Sequence, residues 1–597
     1  SVTRTEEYDI ATGARGVIKK FTNLFKKGDR KVFSDHTDAR HLSEESVSRD
    51  RSIYLTDSYY SDDTISRITQ VNEIYQAGLS PTKYTTYDYS SEGDLRYVEA
   101  TDAEGNIARK GYDRNDNLVY YKDPKNNEFE YSYNLFNMLT DIGVKDGNRL
   151  LHNEYDSNKN LIHTIDVDSG HKYYTYYYDS EVLDRFGNGL LKTLKDDNNN
   201  TLRYYYDNLE RMTDVYSCSS INQDESCNLT TGTLFLENKY DLSCGDGPES
   251  IGKICESITH EYGTSTRYYY DSAKTGNIVS IVDSVGGNNY TSDYTYAIGN
   301  NLKTISLGDQ VTEFEYDSAE RISKVIFNDE EISFDYEFDG SQERKNTIEY
   351  SMEGTGSYKQ ENQFNQDNIM ELTTFKKEIG WNVDTYLSES YGYDGVNNLA
   401  SIYDDSYVNF TYDGLNQLIN IYDAQDYYSG GFENIEYGYD PFGNRMSTNI
   451  DGAIINYNYN YQGHNCTSDV IPGICSNRLI SDGECSYEYY DNGNLYTKEC
   501  TEVNYYYYYD HLNQMNQITI SSDDDIEYLT FKYDSVGNRV EKCYTGDEGL
   551  RTQYVYGLNN KVLAEYVVSA ENDCGASSIG DVDGNGMVQV MDASYIL

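Results

Sequence analysis

Proline and tryptophan are nearly absent, with five Pro and one Trp in 597 residues. So few prolines leave almost every backbone N–H free to enter a ladder, which suits a chain devoted to strands. Basic residues are scarce as well: 48 Lys and Arg stand against 101 Asp and Glu, a formal net charge of −53. That balance excludes a nucleic-acid binder, which needs a basic footprint, and it favours solubility. The one basic cluster, Lys19, Lys20, Lys26, Lys27, Arg30 and Lys31, is expected to be a solvated face of a short helix or loop. No run of about 18 apolar residues occurs, so no membrane-spanning helix is expected. No signal peptide is visible either, and Ser1 reads as a processed or fragmentary start. Gly-x-Ser-x-Gly, His-Glu-x-x-His and P-loop motifs are all missing. The eight His are scattered without metal spacing, and no pair of acids stands out as a glycosidase couple. The expectation is a protein that is not an enzyme.

What the chain has instead is tyrosine, 66 of them. Tyr-Asp recurs at intervals of about 20 to 30 residues, at 87–88, 112–113, 155–156, 178–179, 206–207, 240–241, 270–271 and 316–317, and again at 393–394, 412–413, 439–440, 490–491, 509–510 and 533–534. A fixed period means one supersecondary unit stacked many times. The clearest copies are Tyr-Gly-Tyr-Asp-Pro-Phe-Gly-Asn-Arg (437–445) and Phe-Lys-Tyr-Asp-Ser-Val-Gly-Asn-Arg (531–539). The Tyr-x-Tyr half has the period of a strand. The Asp carboxylate opens a turn by accepting a backbone N–H two residues on. Pro441 suits the fixed φ of a type I turn, and Gly443 the positive φ that follows it. Each repeat therefore reads as a β-hairpin. One hairpin is marginal alone, so the fold class expected is all-β: stacked hairpins forming one continuous twisted sheet, coiled into a spiral or shell. Runs such as Tyr505 to Tyr509 put rings on both faces of that wall. They read first as cross-strand aromatic ladders, and second as a lining for glycans or an enclosed polypeptide.

The ten cysteines include no Cys-x-x-Cys pair, so zinc ribbons and thioredoxin-like motifs are unsupported. An even, locally clustered set reads as disulfides formed in an oxidising, extracellular or cell-surface setting. Cys485 and Cys500 lie equidistant from Asp491-Asn492-Gly493-Asn494. If Asn492-Gly493 is a two-residue turn, they face one another across a hairpin at disulfide distance. Proximity pairs Cys218 with Cys227, Cys244 with Cys255 and Cys466 with Cys475, leaving Cys543 for Cys574. Asn-x-Thr marks Asn199, Asn228, Asn289, Asn409 and Asn465 as candidate glycosylation acceptors.

Length alone suggests several domains, but the repeat overrides that prior. Residues 1–50 are polar and weakly patterned, 51–568 carry the array, 569–578 read as a linker, and 579–597 form a separate short module. Two zones break the rhythm, 217–260 and 341–390, and are expected to be longer hairpins or loops. Within the last module, 581–592 read Asp-Val-Asp-Gly-Asn-Gly-Met-Val-Gln-Val-Met-Asp. Counting from Asp581, side-chain oxygens fall at the EF-hand ligand positions: Asp581, Asp583, Asn585, Gln589 and Asp592. Met587 would offer its carbonyl and Gly586 the sharp turn, so calcium is the expected cofactor.

The hairpin consensus resembles the Rhs/YD-repeat family, which includes bacterial Rhs proteins, Tc-toxin shell components and teneurins. About 500 residues carry the likeness. It implies a β-spiral or cocoon, in many members around a C-terminal toxin. The Rhs-core signature Asp-Pro-x-Gly-Leu is absent; Asp440-Pro441-Phe442-Gly443 continues Asn-Arg and is an ordinary repeat turn. Residues 580–597 resemble the first half of a dockerin, which implies a cohesin-like partner bound through calcium. Three functions follow as expectations. The first is a secreted structural or adhesive scaffold, self-assembling into extracellular fibres or docking through its C-terminal module. The second is an Rhs-type cocoon for a toxin or effector. The third is a cohesin-attached polysaccharide-degrading protein. The partners these imply are a cohesin-like module, another copy of the chain or glycans, with no nucleic acid and no membrane span.

Overall fold

The structure, a computed structural model, describes residues 83–569 apart from 148, 179–188, 219–231, 246, 273–274, 328–329, 340–341, 353–355, 365–368, 380–381, 405–406, 424–433, 460–476, 523–524, 546–549 and 559; before these it describes the backbone of strands at 2–8, 19–25, 45–48, 51–53, 55–59 and 65–73. Among the described residues there is no α-helix. Strand follows strand, the paired neighbours antiparallel, and two short 3₁₀ turns, Asp241–Cys244 and Pro248–Ser250, interrupt them. The all-β class and the hairpin repeat expected from Tyr-Asp are what is found. The lysine cluster differs: Lys19 and Lys20 open the strand Lys19–Phe25, paired with Val2–Tyr8, where a helix or loop was expected.

The corner itself explains the repeat. At Asp440 the backbone N–H donates to the Asn444 carbonyl (3.0 Å), and the Gly443 N–H returns to the Asp440 carbonyl (3.2 Å). One carboxylate oxygen accepts the N–H groups of Phe442 and Asn444, both at 2.8 Å. The other accepts the Asn444 side-chain amide at 2.8 Å. A single Asp thus satisfies donors that a tight turn would otherwise leave bare. Asp394 and Asp534 repeat the pattern with Asn398 and Asn538. At 207 and 317 an Arg four residues on takes the place of Asn, each Nε lying 2.7 Å from the carboxylate. The third residue after Asp is left-handed, with φ +87° at Gly443, +73° at Asn397 and +60° at Asn416. Asn and Gly tolerate that region better than other residues.

The left-handed residue shifts the register by one, so Tyr439 faces Arg445 while Gly438 faces Ser447. Such a bulge disrupts the ladder locally, and the tyrosine spans the gap. Tyr439 Oη donates to the Leu418 carbonyl (2.8 Å), the first residue after the preceding corner. Tyr206 reaches Leu191 (3.0 Å), Tyr316 reaches Leu302 (2.7 Å), Tyr412 reaches Leu399 (2.8 Å) and Tyr533 reaches Met515 (2.5 Å) in the same way. The pair Tyr-Asp is therefore two devices: Asp closes one corner, and Tyr ties it to the corner before. This is why the chain uses Tyr rather than Phe, whose ring would fill the space but leave the carbonyl unserved.

Four expected corners differ, and Asp179 of a fifth lies outside the described residues: Asp241 opens a 3₁₀ turn with its N–H on the Lys253 carbonyl, and the Asp271 N–H reaches the Asn277 carbonyl across a longer turn. Tyr87 and Asp88 lie inside the strand Lys83–Glu92, and Gly93 makes the turn instead, at φ +62°. At 490–494 the turn is displaced by one, with Tyr490 in the place of the Asp. Cys485 does face Cys500, but through a three-residue turn and a bulge between Glu488 and Tyr489 rather than a two-residue turn at Asn492-Gly493. The two changes cancel in the register. In the zone 341–390 the strands are long, Gln342–Met352 and Asn382–Tyr393 having 11 and 12 residues, while in 217–260 the two 3₁₀ turns follow the strand Thr233–Tyr240, and 219–231 lie outside the described residues.

Compactness divides the chain into two units, each made of two stretches distant in sequence. One combines 1–150 with 330–456, and the other 151–329 with 457–597. In the second, strands from Asn458 to Ser569 form a ten-stranded sheet in sequence order.

Candidate functional site

Because consecutive strands are antiparallel, turns alternate between the two edges of a sheet: Tyr-Asp corners on one edge, plain turns on the other. Within each unit the corners of the later stretch sit on the plain turns of the earlier one. In the first unit the Gly395 N–H donates to Glu104 (2.7 Å), and Lys125 lies 2.9 Å from the Asp413 carboxylate. A Cβ at Gly414 would fall 3.0 Å from Pro124 Cβ, so the approach there requires glycine.

The seam of the second unit is longer and more polar. The Asp168 carboxylate accepts the Asn477 N–H (2.6 Å), and the Asp168 carbonyl accepts two Arg478 donors at 2.7 and 3.0 Å. Asp196 closes its own plain turn through Asn200 and also accepts the Asn492 amide at 2.9 Å. Tyr262 Oη donates to Asp510 (2.7 Å), and Thr264 donates to the Tyr533 carbonyl (2.9 Å). Leu512, at a corner tip, packs against Leu202, Val215, Phe235 and Leu236. Further along, the hairpin at 285–288 meets the face of the strand Leu550–Tyr556. There buried Gln553 accepts from Asn288 (3.0 Å) and Tyr290 (2.5 Å) and donates to Glu541 (2.6 Å), and Lys532 lies 2.9 Å from Glu541. A buried network of this kind specifies one register, because any slip strands its members without partners.

Electrostatics distinguish free corners from covered ones. At Asp317, on an uncovered corner, the Arg321 guanidinium and two backbone donors hold the carboxyl below its ordinary value. At Asp413 burial pushes upward, but the Lys125 ammonium and backbone donors outweigh it and the net shift is down. Asp510 and Asp534 have no such cation, and burial raises both. Burial pushes Asp283 up to about 6, the Asp534 charge adds to this, and a hydrogen bond from Thr266 (2.8 Å) opposes it. Asp283, Asp510 and Asp534 of the second seam therefore ionise reluctantly.

Disulfides join Cys244 to Cys255 and Cys485 to Cys500, the latter with Cα atoms 4.3 Å apart. Cys218 and Cys543 are also disulfide-bonded, but Cys227, Cys466, Cys475 and Cys574 lie outside the described residues, as does every member of the calcium set Asp581, Asp583, Asn585, Met587, Gln589 and Asp592. Of the glycosylation candidates, Asn199 and Asn289 are exposed and Asn409 is half-buried in a strand, while Asn228 and Asn465 lie outside the described residues. The histidines are less scattered than their spacing suggests. His152, His163 and His171 share one patch across three neighbouring strands, with His163 Nε2 2.9 Å from His171 Nδ1 and Glu154 3.3 Å from the other His163 nitrogen. Spacings of 11 and 8 carry no motif, and only the strand register reveals the patch. No described group of three or more His, Cys, Asp or Glu is placed to hold a metal ion. The seams were equally invisible beforehand, since partners such as Tyr262 and Asp510 lie far apart in sequence.

An all-β wall of Tyr-Asp hairpins, tiled corner on plain turn, is the class of protein these features define. No protein-family model matches the chain, and no curated protein does. Solved structures do. The crystal structure of TcdB2-TccC3-Cdc42 matches with a TM-score of 0.60 at 12% identity, over 95% of this chain and 32% of that one. The crystal structure of TcdB2-TccC3 matches with a TM-score of 0.55 at 12% identity, over 97% and 33%. A structure of the Photorhabdus luminescens Tc holotoxin pore matches with a TM-score of 0.54 at 12% identity, over 95% and 32%. The chain thus has the fold of these Tc-toxin chains and spans about a third of their length, in line with the Rhs/YD-repeat resemblance of its sequence. Among the described residues no helix is long and apolar enough to cross a membrane.

Proposed function

We propose that this chain is a wall segment of an Rhs-type cocoon, whose work is to enclose a toxin or effector polypeptide. The observation that carries the reading is the fold likeness to Tc-toxin chains over 95% of the sequence. The double use of Tyr-Asp supports it: Asp closes a corner and Tyr ties it back, and corners of each later stretch sit on plain turns of the earlier one within the same unit. Walls built this way are held by backbone ladders and edge contacts, and so need no thick apolar core. Cryo-electron microscopy of the purified full chain tests the proposal. Closed particles with protein density inside are expected; open ribbons or fibres without an interior would overturn it and favour the scaffold reading.

A calcium-dependent docking module at 581–592 is a second proposal, carried by the ligand spacing alone. Calorimetric titration with calcium should show one binding event that Asp583→Ala abolishes. An identical heat trace for the two proteins would refute it.

A further inference from the structure

The buried network around Glu541 contains more than a register lock needs. Lys532, Glu541 and Gln553 stand opposite one another on neighbouring strands, Ile526–Tyr533, Arg539–Tyr544 and Leu550–Tyr556, and so share one face. The Glu541 carboxylate is 2% exposed and lies between the other two side chains. Its Oε1 is 2.9 Å from Lys532 Nζ, its Oε2 accepts Gln553 Nε2 at 2.6 Å, and Arg551 Nε is 3.8 Å away. Gln553 is wholly buried. Its nitrogen also donates to the Val285 carbonyl (3.3 Å), and its carbonyl oxygen accepts both Asn288 Nδ2 (3.0 Å) and Tyr290 Oη (2.5 Å).

Neutralising a buried carboxylate takes only cations. It does not take a primary amide on the carboxylate's second oxygen, nor two donors converging on that amide's carbonyl. Together these are the parts of an acyl transfer: an amine, a carboxylate placed to carry its proton, and a carbonyl polarised by donors already in position. The tip of the hairpin at 285–288 closes the site. A Cβ at Gly286 would fall 2.6 Å from Gln553 Nε2 and 2.9 Å from Glu541 Oε2, so the backbone lies directly on their contact. A closed site keeps water from competing with the amine.

We propose that Lys532 and Gln553 join in an isopeptide bond, with Glu541 as the catalytic carboxylate. Glu541 takes a proton from the Lys532 ammonium, and the freed lone pair attacks Gln553 Cδ. Negative charge gathers on Gln553 Oε1, where Asn288 and Tyr290 hold it. Glu541 passes its proton to Nε2, Oε1 returns its electron pair, and the Cδ–Nε2 bond breaks. The departing ammonia takes the surplus proton of the Lys532 nitrogen and leaves as ammonium. One amide replaces another, and Glu541 is again a carboxylate, so the balance needs no co-reactant. Asn288 and Tyr290 belong to the earlier stretch of the unit, so the site is complete only once the seam has closed. The bond then ties two strands across a third where the hairpin is seated. It concerns the wall alone and does not depend on enclosed cargo.

Mass spectrometry of the purified full chain, reduced and denatured, tests it. The wild type should weigh one ammonia less than its reduced sequence. Trypsin should leave Lys532 uncleaved and yield a branched peptide in which 552–561 hangs from it. Lys532→Arg keeps the cation without the amine, and Glu541→Gln keeps the size without the proton carrier. Both should show the full mass and a free 552–561 peptide. A wild type of full mass would overturn the proposal whether or not the variants fold. So would a mass loss with 552–561 released free, since the ammonia then came from elsewhere. A branched peptide that persists in Glu541→Gln would overturn the role given to Glu541.

Discussion

Replacing Tyr262 by Phe removes one hydroxyl from the second seam and asks what that hydroxyl is worth. Its partner Asp510 is 4% exposed. One carboxylate oxygen is held by the N–H groups of Leu512 and Gln514, both at 2.8 Å, and the other accepts Tyr262 Oη at 2.7 Å. A hydrogen bond to a charged group contributes about 1.5–3 kcal/mol, and an unserved buried acceptor costs a similar amount. The loss should therefore lower protection of the Leu512 and Gln514 amides in native-state hydrogen exchange about ten- to hundredfold. The effect must also depend on pH. Burial already raises the Asp510 carboxyl above its ordinary value, so its ionisation opposes folding as pH rises through the native value. The Tyr262 hydroxyl favours the ionised form, and its removal raises the native value further. The difference between variant and wild type should then be full at pH 8 and shrink toward about 1 kcal/mol, the worth of a neutral bond, as pH falls toward 4. Tyr316→Phe is the control. Its hydroxyl serves the neutral Leu302 carbonyl, so it should cost about 1 kcal/mol at both pH values. Equal effects of Tyr262→Phe at pH 4 and pH 8, or a loss below that of the control, would refute the reasoning.

Asp283→Asn should stabilise the protein at pH 8 by up to about 3 kcal/mol and have little effect at pH 4, since burial pushes the carboxyl up to about 6 and that cost is relieved only where the wild-type group is ionised; thermal melting across that range reads it, and destabilisation at pH 8 would contradict it. Joint replacement of Cys485 and Cys500 by Ser should cost about 3 kcal/mol in urea titration, the loop entropy for a separation of 15 residues, and reduction of the wild type, which also opens Cys244–Cys255 and the bonds of Cys218 and Cys543, should cost more. Gly493→Ala should open the second seam, because φ is +91° and a Cβ would fall 2.3 Å from the Asp168 carbonyl oxygen. Gly252→Ala, at φ +84° with nothing near, should cost only the backbone strain of about 1–2 kcal/mol. Melting temperatures of the two variants compare these costs directly.

The sequence by itself determined the strand–corner–strand unit, because everything needed to close a corner lies within five residues: Asp440, its two backbone donors, Asn444 and a left-handed Gly443. It also determined that Cys485 meets Cys500, since a bulge and a longer turn change the path but not the sum of positions. Tyr87-Asp88 shows the limit of the motif, for there the dipeptide stays in a strand and Gly93 makes the turn. Only the tertiary structure decided why the residue is tyrosine, since its hydroxyl serves a carbonyl one hairpin back, 21 residues away for Tyr439 and 14 for Tyr316. It alone decided which corners are covered, because Tyr262 and Asp510 meet across 248 residues. Local hydrogen bonding writes a corner into adjacent positions. How far the ladder runs before one stretch returns over another depends on accumulated twist and strand length, and no short motif encodes that sum.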